Sequence, residues 1–176
     1  LLVSGSPQRG DFVLYWMQSD QRTRDNPALN LAVAEADELG LPVLVVFGLD
    51  AAYPEANIRH FQFLLEGLRD LEQRLGELGI AFVVIGDRPP EAAAAASERA
   101  ALVVTDRGPL PHHLRWRKEL QRKLSGRRLP LIVVEGNTVV PVRTAADKAQ
   151  WSAGTFRPRI HKQLPKFFVP PAGPAC

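Results

Sequence analysis

Apolar and polar positions fall in blocks whose period switches repeatedly between that of a buried strand and that of an amphipathic helix. Phe12-Val13-Leu14-Tyr15-Trp16-Met17 is an unbroken run of apolar and aromatic residues and predicts a strand buried on both faces. A polar loop follows, and Pro27 stands at the first position of a helix that Asp25 or Asn26 can cap. Leu29, Ala32, Val33 and Ala36 recur at helical spacing, and Gly40 and Pro42 stop the helix before a second strand, 43–47. A long helix is expected from about Asn57 to Leu78, on a stripe that includes Phe61, Leu64, Leu68, Leu71 and Leu75. A third strand, 80–86, precedes an alanine-rich helix, 92–99, opened by Pro89-Pro90-Glu91. A fourth strand, 102–105, a basic helix, 112–124, and a fifth strand, 131–134, complete the series.

Five short apolar strands alternating with helices predict an α/β fold. The expected form is a doubly wound, five-stranded parallel sheet of order 3-2-1-4-5 with helices on both faces. The alternation stops after Pro141, so residues 11–141 read as one α/β domain and 142–176 as a connecting, partly helical arm. The Pro-rich tail from Pro170 to Cys176 resembles a linker.

Composition narrows the classes. With 176 residues, 45% of them hydrophobic, the chain can build one sizeable core. No run approaches a membrane span, so no membrane partner is expected. The polar start lacks a signal-peptide pattern and an initiator Met, which reads as a fragment or processed form. The single cysteine, Cys176, excludes a disulfide within the chain and fits a reducing, cytoplasmic setting. Charge is segregated: residues 1–106 hold 8 Lys/Arg against 16 Asp/Glu, and residues 107–176 hold 14 against 3. Such a basic half can face nucleic acid or an acidic neighbouring domain, or be a solvated helix surface.

Catalytic and nucleotide signatures are missing. No Gly-x-Gly-x-x-Gly follows the first strand, and there is no phosphate-binding loop, Gly-x-Ser-x-Gly elbow or metal-ligand spacing. Topology does bring three strand ends to one edge: Met17-Gln18, Phe47-Gly48-Leu49-Asp50 and Asp106-Arg107-Gly108. Gly48 and Gly108 allow close approach of a flat ligand, Trp16 or Phe47 could stack on it, and Asp106 and Arg107 could bond its polar rim. The plainer reading makes Trp16 and Phe47 core residues and the glycines turn residues. Likewise, Asp20, Arg22 and Asp25 could serve only to pin the first loop.

Trp16 followed by Asp20-x-Arg22-x-x-Asp25-Asn26-Pro27-Ala28-Leu29 resembles the first strand and loop of the DNA photolyase/cryptochrome family. Tyr15-Trp16-Met17-Gln18, the segment Ala56-Asn57-Ile58-Arg59-His60-Phe61, and Val104-Thr105-Asp106 with Pro109-Leu110 and Trp116 are similar to the class II cyclobutane-dimer photolyases. So are Val139-Val140-Pro141, Asp147-Lys148 and Thr155-x-Arg157-Pro158 with Leu164-Pro165. The chain departs from the class II pattern at Arg107-Gly108, where Phe-Ser is usual, and at Glu135-Gly136-Asn137-Thr138, where Asp-Ala-His-Asn is usual.

The resemblance implies an N-terminal antenna domain that helps bind a deazaflavin-like or folate chromophore. It places FAD and the light-driven repair of cyclobutane pyrimidine dimers in a C-terminal helical domain, absent from this sequence. Damaged DNA and that FAD-binding domain would be the partners. Trp16, Met17, Gln18, Phe47, Gly48, Leu49, Asp106 and Arg107 are the expected antenna-binding residues, with no catalytic or metal residue in the chain. The alternatives are a cryptochrome-like blue-light photoreceptor domain, or a stand-alone nucleotide-binding or interaction module of the same fold.

Overall fold

A computed structural model describes residues 5–53 and 56–169; the Pro170–Cys176 tail lies outside the described residues. The elements are β1 (Phe12–Met17), α1 (Pro27–Leu39), β2 (Val43–Gly48), α2 (Ile58–Glu77), β3 (Ala81–Ile85) and α3 (Pro89–Ala96), followed by β4 (Ala100–Asp106), α4 (Pro111–Ser125), β5 (Leu131–Val134), α5 (Val142–Ala145) and α6 (Ala153–Phe167). The strands form one sheet in the order β3-β2-β1-β4-β5, and every pair is parallel. Both the expected order and the expected topology hold.

Sequence chemistry explains the element ends. Asn26 caps α1, its Oδ1 accepting from the amides of Ala28 and Leu29 at 3.1 and 3.0 Å, with Pro27 at the first position. Gly40 ends α1 in the left-handed conformation at φ 65°. Asn57 caps α2 in a reciprocal box, taking the amides of Arg59 and His60 while the His60 ring accepts from the Asn57 amide. The alanine-rich helix starts at Pro89 rather than Ala92, because the two prolines carry helical φ without needing a donor.

Two cores flank the sheet. Val13, Tyr15 and Met17 of β1 pack under α1 and α2 with Leu29, Leu68 and Leu75. Leu14 and Trp16 point the other way, under α3 and α4 with Ala93, Trp116 and Leu120, as the two-residue period of a strand requires. The strands are not equally buried. β4 is buried throughout, whereas Ala81, Val83 and Val84 of β3 are exposed, because β3 is an edge strand and α3 packs on β2 and α4 instead.

The arm after Pro141 is helical at α5 and α6, and α6 has no buried residue. None of the helices among the described residues is long and apolar enough to cross a membrane.

Candidate functional site

The loop after β1 is built around one carboxylate. Asp106, at the end of β4 and fully buried, accepts the amides of Gln18 and Ser19 at 2.7 Å each and that of Asp20 at 3.2 Å. It also accepts the Ser19 hydroxyl at 2.7 Å and the Tyr15 hydroxyl at 3.2 Å. Burial, then the charge of Asp106, drives the Tyr15 phenol well above its ordinary pKa. Asn26 closes the loop from behind, its Nδ2 donating to the Asp20 and Arg22 carbonyls at 2.9 Å each.

Asp20 is fully buried and pairs with Arg22 at 3.1 Å, while the same guanidinium donates to the Gly136 carbonyl at 3.2 Å. Burial and the neighbouring Asp106 charge raise the Asp20 pKa from 3.8 to about 6, with Arg22 opposing them. The backbone of Asp25 accepts from Arg22 Nε at 3.1 Å. The Asp20–Arg22–Asp25 group therefore pins the loop.

In front of this loop lies a cavity of about 560 Å³ at the carboxyl edge of β1 and β2. Its floor is Met17, Gln18, Phe47, Gly48 and Leu49. The β2–α2 connection and the start of α2 give one wall, with Tyr53, His60, Phe61 and Leu64. Pro89 of α3 and His113 and Trp116 of α4 give the other. Tyr53 closes one end through its hydroxyl, 2.9 Å from His112 Nε2, and an edge-on ring contact with Trp116 at 6.2 Å between centroids. His113 is buried, and that burial, with the charge of His112 as the second cause, lowers its pKa from 6.5 to about 4. At neutral pH it presents an uncharged imidazole. No Lys or Arg is among the described lining residues, and Asp50 is their one carboxylate.

Five of the eight residues expected from the sequence meet in this cavity: Met17, Gln18, Phe47, Gly48 and Leu49. Trp16 sits on the opposite face of the sheet, fully buried in the α3–α4 core. Asp106 lies behind the floor with its oxygens spent on the β1–α1 loop. Arg107 pairs with Glu135 and lines a separate open cleft beside α5 and Trp151.

The two glycines serve packing. A Cβ on Gly48 would lie 2.6 Å from Pro89 Cα, and one on Gly108 would strike the His113 ring. Tyr53, His60, Phe61, His113 and Trp116 were not foreseen as site residues. The 3-4-4 spacing of His113, Trp116, Leu120 and Leu124, all buried on α4, was the one available signal that His113 faces inward. The described residues hold no cluster of His, Cys, Asp or Glu able to bind a metal ion.

Comparison with known proteins places this geometry in context. The DNA photolyase family model matches residues 13–175. A deoxyribodipyrimidine photo-lyase of Methanothermobacter thermautotrophicus is 46% identical over 162 residues, 92% of this chain and 36% of that protein. The corresponding enzyme of Potorous tridactylus is 36% identical over 89% of this chain and 30% of its own length. The chain thus spans about a third of the relatives it matches. Among solved structures, a cryptochrome of Synechocystis sp. PCC6803 superposes over 93% of this chain and 36% of its own, with a TM-score of 0.78 and 16% identity. An archaeal photolyase from Sulfolobus tokodaii, solved with two FAD molecules, gives a TM-score of 0.68 at 15% identity over 86% of this chain and 35% of its own. Those two likenesses concern the fold.

Proposed function

Since the chain belongs to the DNA photolyase family, we propose that it is the antenna-chromophore domain of a class II-like photolyase. The intact protein would be a light-driven carbon–carbon lyase that repairs cyclobutane pyrimidine dimers in DNA. Within this chain, residues 11–141 form the chromophore-binding domain and 142–176 the arm leading to an FAD-binding helical domain. The exposed α6, with no buried residue, supports that division. A cytoplasmic location fits the single cysteine.

The cavity at the carboxyl edge of β1 and β2 carries the reading. Its size falls within the range of small-molecule sites, about 300–1,000 Å³, and Phe47, Phe61, Tyr53 and Trp116 supply flat walls. These residues fit a planar ring of the deazaflavin or folate kind, which when bound absorbs light and passes excitation to the flavin. The chain's own part is to hold the ring, orient it and shield it from water. FAD belongs to the helical domain in this scheme, and the absence of Lys and Arg from the described lining argues against a pyrophosphate here. The same feature argues against a stand-alone nucleotide-binding module. The relatives at 46% and 36% identity are photo-lyases, while the cryptochrome likeness extends to the fold alone.

Titrating the chain with a 5-deazaflavin and, separately, with a reduced folate tests the reading through the fluorescence of each. Saturable binding of one of them is expected, abolished by Ala56→Trp, which fills the cavity from its wall. Binding unaffected by that substitution would move the site elsewhere. Illuminated with added flavin, this chain should leave dimers in an oligonucleotide intact, since no catalytic group is assigned to it. Light-dependent loss of dimers would place the repair chemistry here.

A further inference from the structure

The outward face of α4 carries charge that the fold does not use. The buried side of this helix is His113, Trp116, Leu120 and Leu124. Arg115, Lys118 and Arg122 are exposed and follow one another at three and four residues, so they form one stripe turned away from that buried side. Glu119 is the one acid on the helix, and it is taken by Arg88 of the α3 start at 2.9 Å. Lys123 is held by Glu91 at 3.4 Å. No carboxylate among the described residues pairs with Arg115, Lys118 or Arg122. The Arg122 Nε–H donates to the Lys118 carbonyl at 3.4 Å, within the helix itself. From Arg115 to Arg122 the stripe is about 10 Å long, at about 1.5 Å of rise per residue.

We propose that this stripe is a docking surface for the phosphate backbone of duplex DNA, engaged by charge and indifferent to base sequence and to damage. It stands apart from the antenna reading, because the cavity uses the inward side of α4, through His113 and Trp116. Charge complementarity carries the choice of partner. One strand of a duplex presents a phosphate about every 3.4 Å of axis, so the stripe matches about three of them. An acidic protein surface is the weaker match. Protein interfaces centre on apolar and aromatic anchors and are depleted in lysine, whereas the residues exposed alongside this stripe, Gln121 and Ser125, are polar. The exposed apolar residues of the region, Leu110 and Leu114, stand at the N-terminal end of the helix. On α6, Arg159, Lys162 and Lys166 repeat the same spacing, but there Trp151, Phe156 and Phe168 are exposed around the cations. That mixture suits a protein contact instead.

The test is fluorescence anisotropy of a labelled, undamaged duplex titrated with the chain at several salt concentrations. Three forms are compared: wild type, the α4 variant Arg115→Gln/Lys118→Gln/Arg122→Gln, and a charge-matched α6 variant, Arg159→Gln/Lys162→Gln/Lys166→Gln. All six substitutions are at exposed positions, and circular dichroism with urea unfolding checks that each variant is folded. Wild type should bind at low salt, with the logarithm of its association constant falling steeply against that of the salt concentration. The α4 variant should flatten that slope by about 2 to 3, the share of three phosphate contacts, and the α6 variant should flatten it less. A duplex carrying a dimer should bind wild type equally, and polyglutamate at the same charge concentration should displace the duplex poorly. No binding by wild type overturns the proposal, as does an α4 variant with the wild-type slope. An α6 variant that flattens the slope at least as much shows that overall charge, not the stripe, is responsible, and overturns it too. Preference for the damaged duplex, or full displacement by polyglutamate, overturns it in favour of a damage site or an acidic protein partner. None of these outcomes touches the antenna reading, which the ring titrations decide.

Discussion

Asp106 is the residue whose role differs most between the sequence and the folded chain. A carboxylate at a strand end beside a glycine is a reasonable ligand contact, yet its oxygens receive three backbone amides and two hydroxyls from β1 and the loop that follows it. Hydrogen bonds to a charged acceptor contribute about 1.5–3 kcal/mol each, and removing the acceptor strands several buried donors at once. Asp106→Ala should therefore lower unfolding free energy by roughly 3 kcal/mol or more, measured by urea denaturation, with chromophore binding falling because the Met17–Gln21 lip loses its anchor. If Asp106 touched the ligand instead, affinity would fall while stability held. Arg107→Gln offers the contrast: its guanidinium is engaged by Glu135, so ring binding in the cavity should be unchanged.

At the scale of elements, strands and helices were legible because each carries its own period, and the caps at Asn26 and Asn57 and the stop at Gly40 are local chemistry. The cavity was only half legible. Its floor follows from strand order, which brings Met17 and Phe47 side by side in the β1–β2 pairing. Its walls depend on how α3 and α4 dock and on the path between β2 and α2, and no local pattern encodes either. Trp16 shows the limit of naming a strand end without its parity, since it is the immediate neighbour of Met17 in the chain and yet the sheet separates their side chains. Gly48 looked like an opening for a ligand, but the close approach is between β2 and α3. Gly48→Ala would press a methyl onto the Pro89 backbone, and overpacking of this kind costs typically about 1–3 kcal/mol. The expected result is a lower melting temperature together with weaker ring binding, since Pro89 is a wall of the cavity. A variant as stable as wild type would show that α3 shifts freely.

Over the whole molecule, the segregation of charge resolves into a solvated basic face. Of the eight Lys and Arg between 107 and 128, only Arg107 and Arg117 are drawn partly inside. Buried ionisable groups, by contrast, gather around the cavity and its loop, and two of them oppose each other as pH changes. Asp20, raised from 3.8 to about 6, holds its proton more tightly folded than unfolded. Its contribution to stability is full below the unfolded value and is lost as pH rises through about 6. His113, lowered from 6.5 to about 4, holds its proton less tightly when folded. Its contribution is full above the unfolded value and is lost as pH falls through about 4. Between these limits the two slopes have opposite sign, each at most about 1.4 kcal/mol per pH unit, and they offset. Wild type should therefore show little change in unfolding free energy across that window from this pair. Asp20→Asn leaves His113 unopposed, so stability should fall on acidification by roughly 2–3 kcal/mol. His113→Phe leaves Asp20 unopposed, so stability should rise on acidification by a similar amount. The double variant should return to the flat profile, because neither group then titrates. Urea unfolding at half-unit pH steps reads all four curves, and an Asp20→Asn profile parallel to wild type would show that this carboxyl is already ionised throughout the window in the folded chain.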